Sequence, residues 1–180
     1  LADAPTATNS LICGGVTPSR EPRFQNIYPQ QCTSATFQMV EPELAKVLDK
    51  YNKNTYEVRK SIEDMDGSVQ HLDFLDDLEK KVFRTAYEVD QLWIVEHVAA
   101  AQQFVCQAIS TNLFFCPHVP RKYVNAVLFQ MWKKGCKSRY YIRSKALATS
   151  NALAKKVDSS IMTIDYNRAD IFQVCLSCEG

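Results

Sequence analysis

Three short stretches of the chain carry side chains whose types and spacing can do chemistry. Thr6-Ala7-Thr8-Asn9-Ser10 is dense in small polar residues and leads into Leu11-Ile12-Cys13 and Gly14-Gly15, a short helical turn closed by glycines. Backbone N–H groups at a helix start have no acceptor within the helix, so such a segment can hold a phosphate, although an ordinary N-cap has the same composition. Tyr140-Tyr141 sets two phenols side by side. In a regular strand neighbouring side chains face opposite ways, so one ring belongs in a core and the other at a surface. A local bend that brought the rings together would let them pass an electron and a proton along as a pair. The third stretch, Cys175-Leu176-Ser177-Cys178, is a C-x-x-C near the C-terminus. Structural zinc needs four ligands, and Cys136 and His118 lie far upstream without partner spacing, so metal is disfavoured and an exchangeable dithiol favoured. The 33 residues from 142 to 174, treated as flexible coil, span roughly 30 Å. That is reach enough to visit both a buried site and an external reductant.

The elements that must position these groups read as one domain or a piece of a larger one, at 180 residues with 46% hydrophobic and 23% charged side chains. Lys and Arg number 21 against 20 Asp and Glu, a formal charge of +1. That balance speaks against nucleic acid as a ligand, and no apolar run is long enough to span a membrane. Seven cysteines, odd in number and irregular in spacing, point to a reducing, cytoplasmic setting instead of a disulfide framework. His71, His97 and His118 have no metal-binding partner spacing.

Along the chain, residues 16–23 read as irregular loop and Phe37 to Val40 as a short strand. Glu41-Pro42-Glu43 opens a helix to about Lys53, and a second runs from Thr55 to Met65, ending at Asp66-Gly67. Leu78, Val82, Ala86, Val89, Leu92 and Trp93 recur at three- and four-residue steps, which predicts one long helix from Asp76 to about Gln107. After Pro120 another helix carries Tyr123, Val127 and Met131 on one face and stops at Gly135; Lys137 to Arg143 then reads as a strand around the tyrosine pair. Two or three strands cannot satisfy their own edges, so the segment should dock on something that supplies the rest of a sheet.

In this order the segments resemble the C-terminal portion of the large, catalytic subunit of class I ribonucleotide reductase. The stretches that carry the resemblance are Ala4 to Ser10, Asn26-Ile27-Tyr28, Gln107-Ala108-Ile109-Ser110-Thr111-Asn112, the run from Trp132 to Arg143, and Cys175-Leu176-Ser177-Cys178. Asn9 stands where many relatives have Ser or Thr, and Ala108 where Ser is usual. The resemblance implies an α/β fold, the closing part of a ten-stranded α/β barrel over residues 1–143, followed by a flexible tail over 144–180 bearing the redox pair. It implies reduction of ribonucleoside diphosphates by thiyl-radical chemistry for DNA synthesis. Thr6, Ala7, Thr8 and Asn9 would then hold the substrate diphosphate, Tyr140 and Tyr141 would relay the radical, with Tyr141 nearer the small subunit, and Cys175 and Cys178 would be the shuttle dithiol.

The same resemblance implies that this chain binds no cofactor. The radical comes from the metal-containing small subunit, and the reductant is thioredoxin or glutaredoxin. Partners would be the N-terminal part of the large subunit, which carries the thiyl cysteine and the reducible pair, and the small subunit, in the cytoplasm or in that of a host. The chain opens on Leu1, which leaves a split large subunit, as in some large phages, or a fragment without its upstream portion; the split subunit is the favoured arrangement. A non-catalytic regulatory remnant that docks on a complete reductase is the alternative. A stand-alone thiol-disulfide oxidoreductase fits less well, since such enzymes place C-x-x-C at a helix start.

Overall fold

The computed structural model describes residues 1–31, 35–145 and 164–166. Its elements are α1 (Ala7–Ile12), β1 (Ile27–Gln31), β2 (Thr36–Val40), α2 (Pro42–Lys50), α3 (Tyr56–Asp64), α4 (Asp77–Val82), α5 (Gln91–Gln102), β3 (Leu113–Phe115), α6 (Arg121–Lys133) and β4 (Ile142–Ser144). No helix among the described residues is long and apolar enough to cross a membrane.

The first half packs around one core. β1 and β2 form an antiparallel hairpin, Ile27 opposite Val40, and Ile27, Leu44, Leu48, Ile62, Val69 and Phe83 are buried together beneath it. Helix starts follow the capping rules. The Glu41 side chain accepts from Leu44 N–H ahead of Pro42, and Thr55 accepts from Val58 N–H. Asn26 ties this half together from inside, its buried Nδ2 donating to the carbonyls of Gly67 at 2.9 Å and Phe83 at 2.7 Å. Gly67 has φ +77°, and a Cβ there would sit 2.6 Å from Cβ of Gln25, so only glycine fits this crossing.

The second half is a strand–helix–strand unit. β3 and β4 pair in parallel, Leu113 opposite Ile142 and Phe114 opposite Arg143, and α6 makes the crossover between them, as a parallel pair requires. Leu113 and Phe115 face Tyr123, Val127 and Met131 of α6, with Val95 of α5 in the same core. A third parallel segment joins upstream of β3: Asp3 N–H donates to the carbonyl of Ala108, and Ser110 N–H to that of Asp3. Even-numbered residues of 108–114 therefore use one edge. Odd-numbered Thr111 and Leu113 bond residues 140 and 141 on the other. Further along the even edge, Phe114 N–H finds the Gln91 side-chain oxygen at 2.9 Å in place of a strand.

One buried polar network fixes the two helices to this sheet. The Tyr123 hydroxyl donates to the Asp90 carboxylate at 2.5 Å and accepts Gln91 N–H at 3.0 Å. Gln91 Nε2 donates to the carbonyls of Ala86 and Val89. Tyr166 stacks edge-on against Tyr123 with ring centroids 4.8 Å apart.

Several expectations need correction. The long helix from Asp76 to Gln107 is two helices, with a break over 83–90. Asp76 and Glu79 form a reciprocal capping box that starts α4, and Asp90 caps α5 afresh through Leu92 N–H. Between them Phe83 turns into the first core, and the supposed stripe is not a buried face: Leu78, Val82 and Trp93 are exposed. The expected strand over 137–143 is confined to Ile142–Ser144, β1 and β3 went unanticipated, and α1 begins at Ala7 instead of after Ser10. α2, α3, α6, β2 and the loop at 16–23 lie where the residues suggested.

Candidate functional site

Alternate residues of the parallel pair point away from α6. Asn112 and Phe114 of one strand and Arg143 of the other meet the first turn of α1 and the 18–30 segment around a cleft of about 390 Å³. Phe24 and Tyr28, in ring contact with each other at 5.3 Å, give it an apolar wall.

Ala7, Thr8 and Ser10 of α1 also line this cleft, whereas Thr6 and Asn9 are not in its lining. Ala7, Thr8 and Asn9 are the first three residues of the helix, so their N–H groups have no intrahelical acceptor. Thr6 differs. Its N–H and its hydroxyl both donate to the Pro18 carbonyl, at 3.1 and 3.0 Å, which pins the start of α1 to the loop at 16–23. Ser10 is buried and its hydroxyl is held by the Ala7 carbonyl.

Sequence reasoning left that loop without a role, yet it carries Glu21, a buried carboxylate in the cleft wall. Ser19 donates to its Oε2 at 2.7 Å, and Asn112 donates to its Oε1 through both the backbone N–H and Nδ2. The carboxylate thereby fastens the loop to the strand, and it orients the Asn112 amide so that Oδ1, buried and without a partner, is turned away from it.

The tyrosine pair sits at the entry to β4. Tyr140 N–H donates to the Thr111 carbonyl at 2.7 Å, while the Tyr141 carbonyl accepts Leu113 N–H at 2.9 Å. In a regular parallel ladder one residue makes both bonds; here two residues share the place opposite Asn112, which is the bond pattern of a β-bulge. A bulge cancels the alternation that would separate the rings. Their centroids lie 4.1 Å apart at 57°, and the hydroxyls 3.4 Å apart. The contact with Tyr141 raises the Tyr140 phenol above its ordinary value, first through the hydrogen bond and then through charge repulsion. Both rings are about half exposed, at 46% and 49%. Arg143, two residues on, reaches back over the Tyr141 ring, Cζ 5.2 Å from its centroid. Cys175 and Cys178 lie outside the described residues.

The structure thus brings Ala7 and Thr8 to one cleft and puts the phenols just ahead of β4, whose Arg143 lines it. It adds Arg143, Glu21 and Asn112, which were not singled out as site residues. The spacing of Tyr141 and Arg143 was the one signal for Arg143, because residues two apart share a face of a strand. No group of three or more His, Cys, Asp or Glu side chains among the described residues is arranged to hold a metal ion.

Residues 1–142 match the family model described as ribonucleotide reductase, barrel domain. The large subunits of ribonucleoside-diphosphate reductase from Invertebrate iridescent virus 6 and Invertebrate iridescent virus 3 are 37% and 38% identical over 95% and 99% of this chain. The chain spans 18% and 28% of those relatives. The class Id ribonucleotide reductase alpha subunit of Actinobacillus ureae superposes with a TM-score of 0.71 at 36% identity, over 79% of this chain and 26% of its own. The parallel strands with their α6 crossover are therefore a segment of an α/β barrel, and the chain belongs to the ribonucleotide reductase barrel family.

Proposed function

We propose that this chain is the C-terminal part of the catalytic barrel of a ribonucleoside-diphosphate reductase large subunit, acting with the remainder of that barrel and with a radical-generating small subunit. The observation that carries the reading is the bulge at Tyr140-Tyr141, which sets two phenols in contact just ahead of β4, whose Arg143 lines the α1 cleft. A regular strand would have kept them on opposite faces.

In this reading the N–H groups of the first turn of α1, with the Thr8 hydroxyl, receive the diphosphate of the substrate, since a helix start offers unpaired donors and a positive dipole end. Thr6 serves to pin the turn through Pro18. An oxidised Tyr141, with the radical delivered by the small subunit, takes an electron and a proton from Tyr140 and returns to the phenol. Tyr140 then takes a hydrogen atom from the thiol of a cysteine supplied by the rest of the barrel, leaving a thiyl radical to act on the ribose. Each turnover converts a dithiol there to a disulfide. Cys175 and Cys178 reduce that disulfide by thiol exchange, becoming oxidised themselves, and a thioredoxin or glutaredoxin returns them to thiols.

The test is reconstitution of the chain with the remaining barrel and a small subunit. The complex should reduce a ribonucleoside diphosphate, and Tyr140→Phe should abolish turnover while leaving assembly and substrate binding intact. Cys178→Ser should allow a first turnover and stop repetition with thioredoxin. Undiminished turnover in Tyr140→Phe refutes the relay, and an assembly that binds a complete reductase and only modulates it would assign the chain a regulatory role instead.

A further inference from the structure

Arg143 is the residue that touches both halves of the candidate site. It is paired with Phe114 across the ladder and lines the α1 cleft, and its guanidinium lies over the Tyr141 ring. It forms no ion pair with any described carboxylate. The one buried carboxylate in the cleft wall, Glu21, is already occupied by Ser19 and Asn112. Arg143 is exposed, and a cation without a counter-ion among the described residues, in a cleft that Ala7 and Thr8 also line, is open to an anion. Arginine is also the side chain that can serve two partners at once. A guanidinium that rests on an aromatic ring by its face keeps the N–H donors of its edge free, and those donors match the oxygens of a phosphate in pairs.

We propose that Arg143 is a positioning residue that grips the anionic end of the substrate with its edge while its face steadies the Tyr141 ring, so that filling the cleft and ordering the phenol pair are one event. The inference rests on the reading of the cleft as a diphosphate site and goes beyond it by linking substrate occupancy to the relay. Lysine keeps the charge but has neither the flat face nor the paired donors, so it separates the two jobs.

The experiment uses the reconstituted reductase with Arg143→Met and Arg143→Lys, measuring equilibrium binding of a ribonucleoside diphosphate and of the matching nucleoside, together with kcat at saturating substrate. Arg143→Met should weaken diphosphate binding at least tenfold, change nucleoside binding less than twofold, and lower kcat. Arg143→Lys should recover most of the binding but not kcat, a split that a residue of merely structural importance would not produce. Equal losses for diphosphate and nucleoside, or unchanged diphosphate binding in Arg143→Met, would overturn the anion contact. Full recovery of kcat by lysine would overturn the coupling. If the wild-type complex itself neither binds nor reduces the diphosphate, the underlying reading of the cleft falls together with this inference; a competent wild type with an indifferent Arg143→Met removes the inference alone.

Discussion

Removing a single oxygen from the core of the second half tests how the sheet is held in place. In Tyr123→Phe the ring stays, so no cavity opens, but the hydroxyl that links α6 to the start of α5 is lost. That hydroxyl gives one bond to the Asp90 carboxylate at 2.5 Å and takes one from Gln91 N–H at 3.0 Å. A bond to a charged group contributes about 1.5–3 kcal/mol, and an orphaned buried N–H costs about 1–3 kcal/mol. Asp90 keeps its capping bond from Leu92 N–H, which offsets part of the loss, so the expected destabilisation is about 3 kcal/mol. With a urea dependence of about 2 kcal/mol per molar, the midpoint should fall by about 1.5 M. The chain has two tryptophans, Trp93 on α5 and Trp132 on α6, so intrinsic fluorescence reads the two helices that the hydroxyl joins. Asp90→Asn keeps an acceptor and removes the charge, and should cost about half as much. A loss below about 0.5 kcal/mol in Tyr123→Phe would refute the claim that this network holds α5, α6 and β3 together.

Further expectations follow the same logic. Gly67→Ala combines a left-handed backbone with overlap against Gln25 and should destabilise by at least about 2 kcal/mol, seen as a drop in thermal midpoint; a neutral result would mean that the 25–27 and 67 segments can part. Asn26→Ala leaves the carbonyls of Gly67 and Phe83 without their buried donor and should cost about 2–4 kcal/mol, whereas Asn26→Ser, shorter by one atom, should recover little. At alkaline pH, burial raises both Tyr123 and Tyr166, the latter to about 12 from 10.0. The folded state therefore favours the neutral phenols. Their contribution is complete below about pH 10, where the unfolded chain begins to ionise, and is lost as pH climbs through the folded value. Stability measured across that window should decline less steeply in Tyr166→Phe than in the wild type.

What could be read from the residues alone was whatever local chemistry decides. Pro42 behind Glu41, and Thr55 ahead of Tyr56, mark helix starts because capping is a matter of neighbouring atoms. The Tyr123, Val127 and Met131 face marks α6 because its period matches its burial. The break over 83–90 was hidden, since Leu78, Val82, Ala86, Val89 and Leu92 keep helical spacing across it while two separate cores claim the flanking residues. β3 is three residues long and buried throughout, so it offers no alternation to find. The site divides in the same way. The start of α1 could be suspected from its small polar residues, but contact between Tyr140 and Tyr141 depends on one extra residue in a ladder whose partner lies some thirty positions upstream. Glu21 acts through Asn112, 91 positions away, a distance over which no spacing rule operates.

The half-exposed rings of the tyrosine pair carry a consequence for timing. A phenoxyl species with water and dissolved thiols at its open face would be quenched by the first small reductant to reach it. Because the described residues leave both rings about half exposed, the remaining shelter has to come from another surface, and it has to arrive before oxidation begins. If the proposed relay operates, a productive complex must close over these phenols first and ignite second, so the lifetime of the radical should track how completely that covering surface is seated.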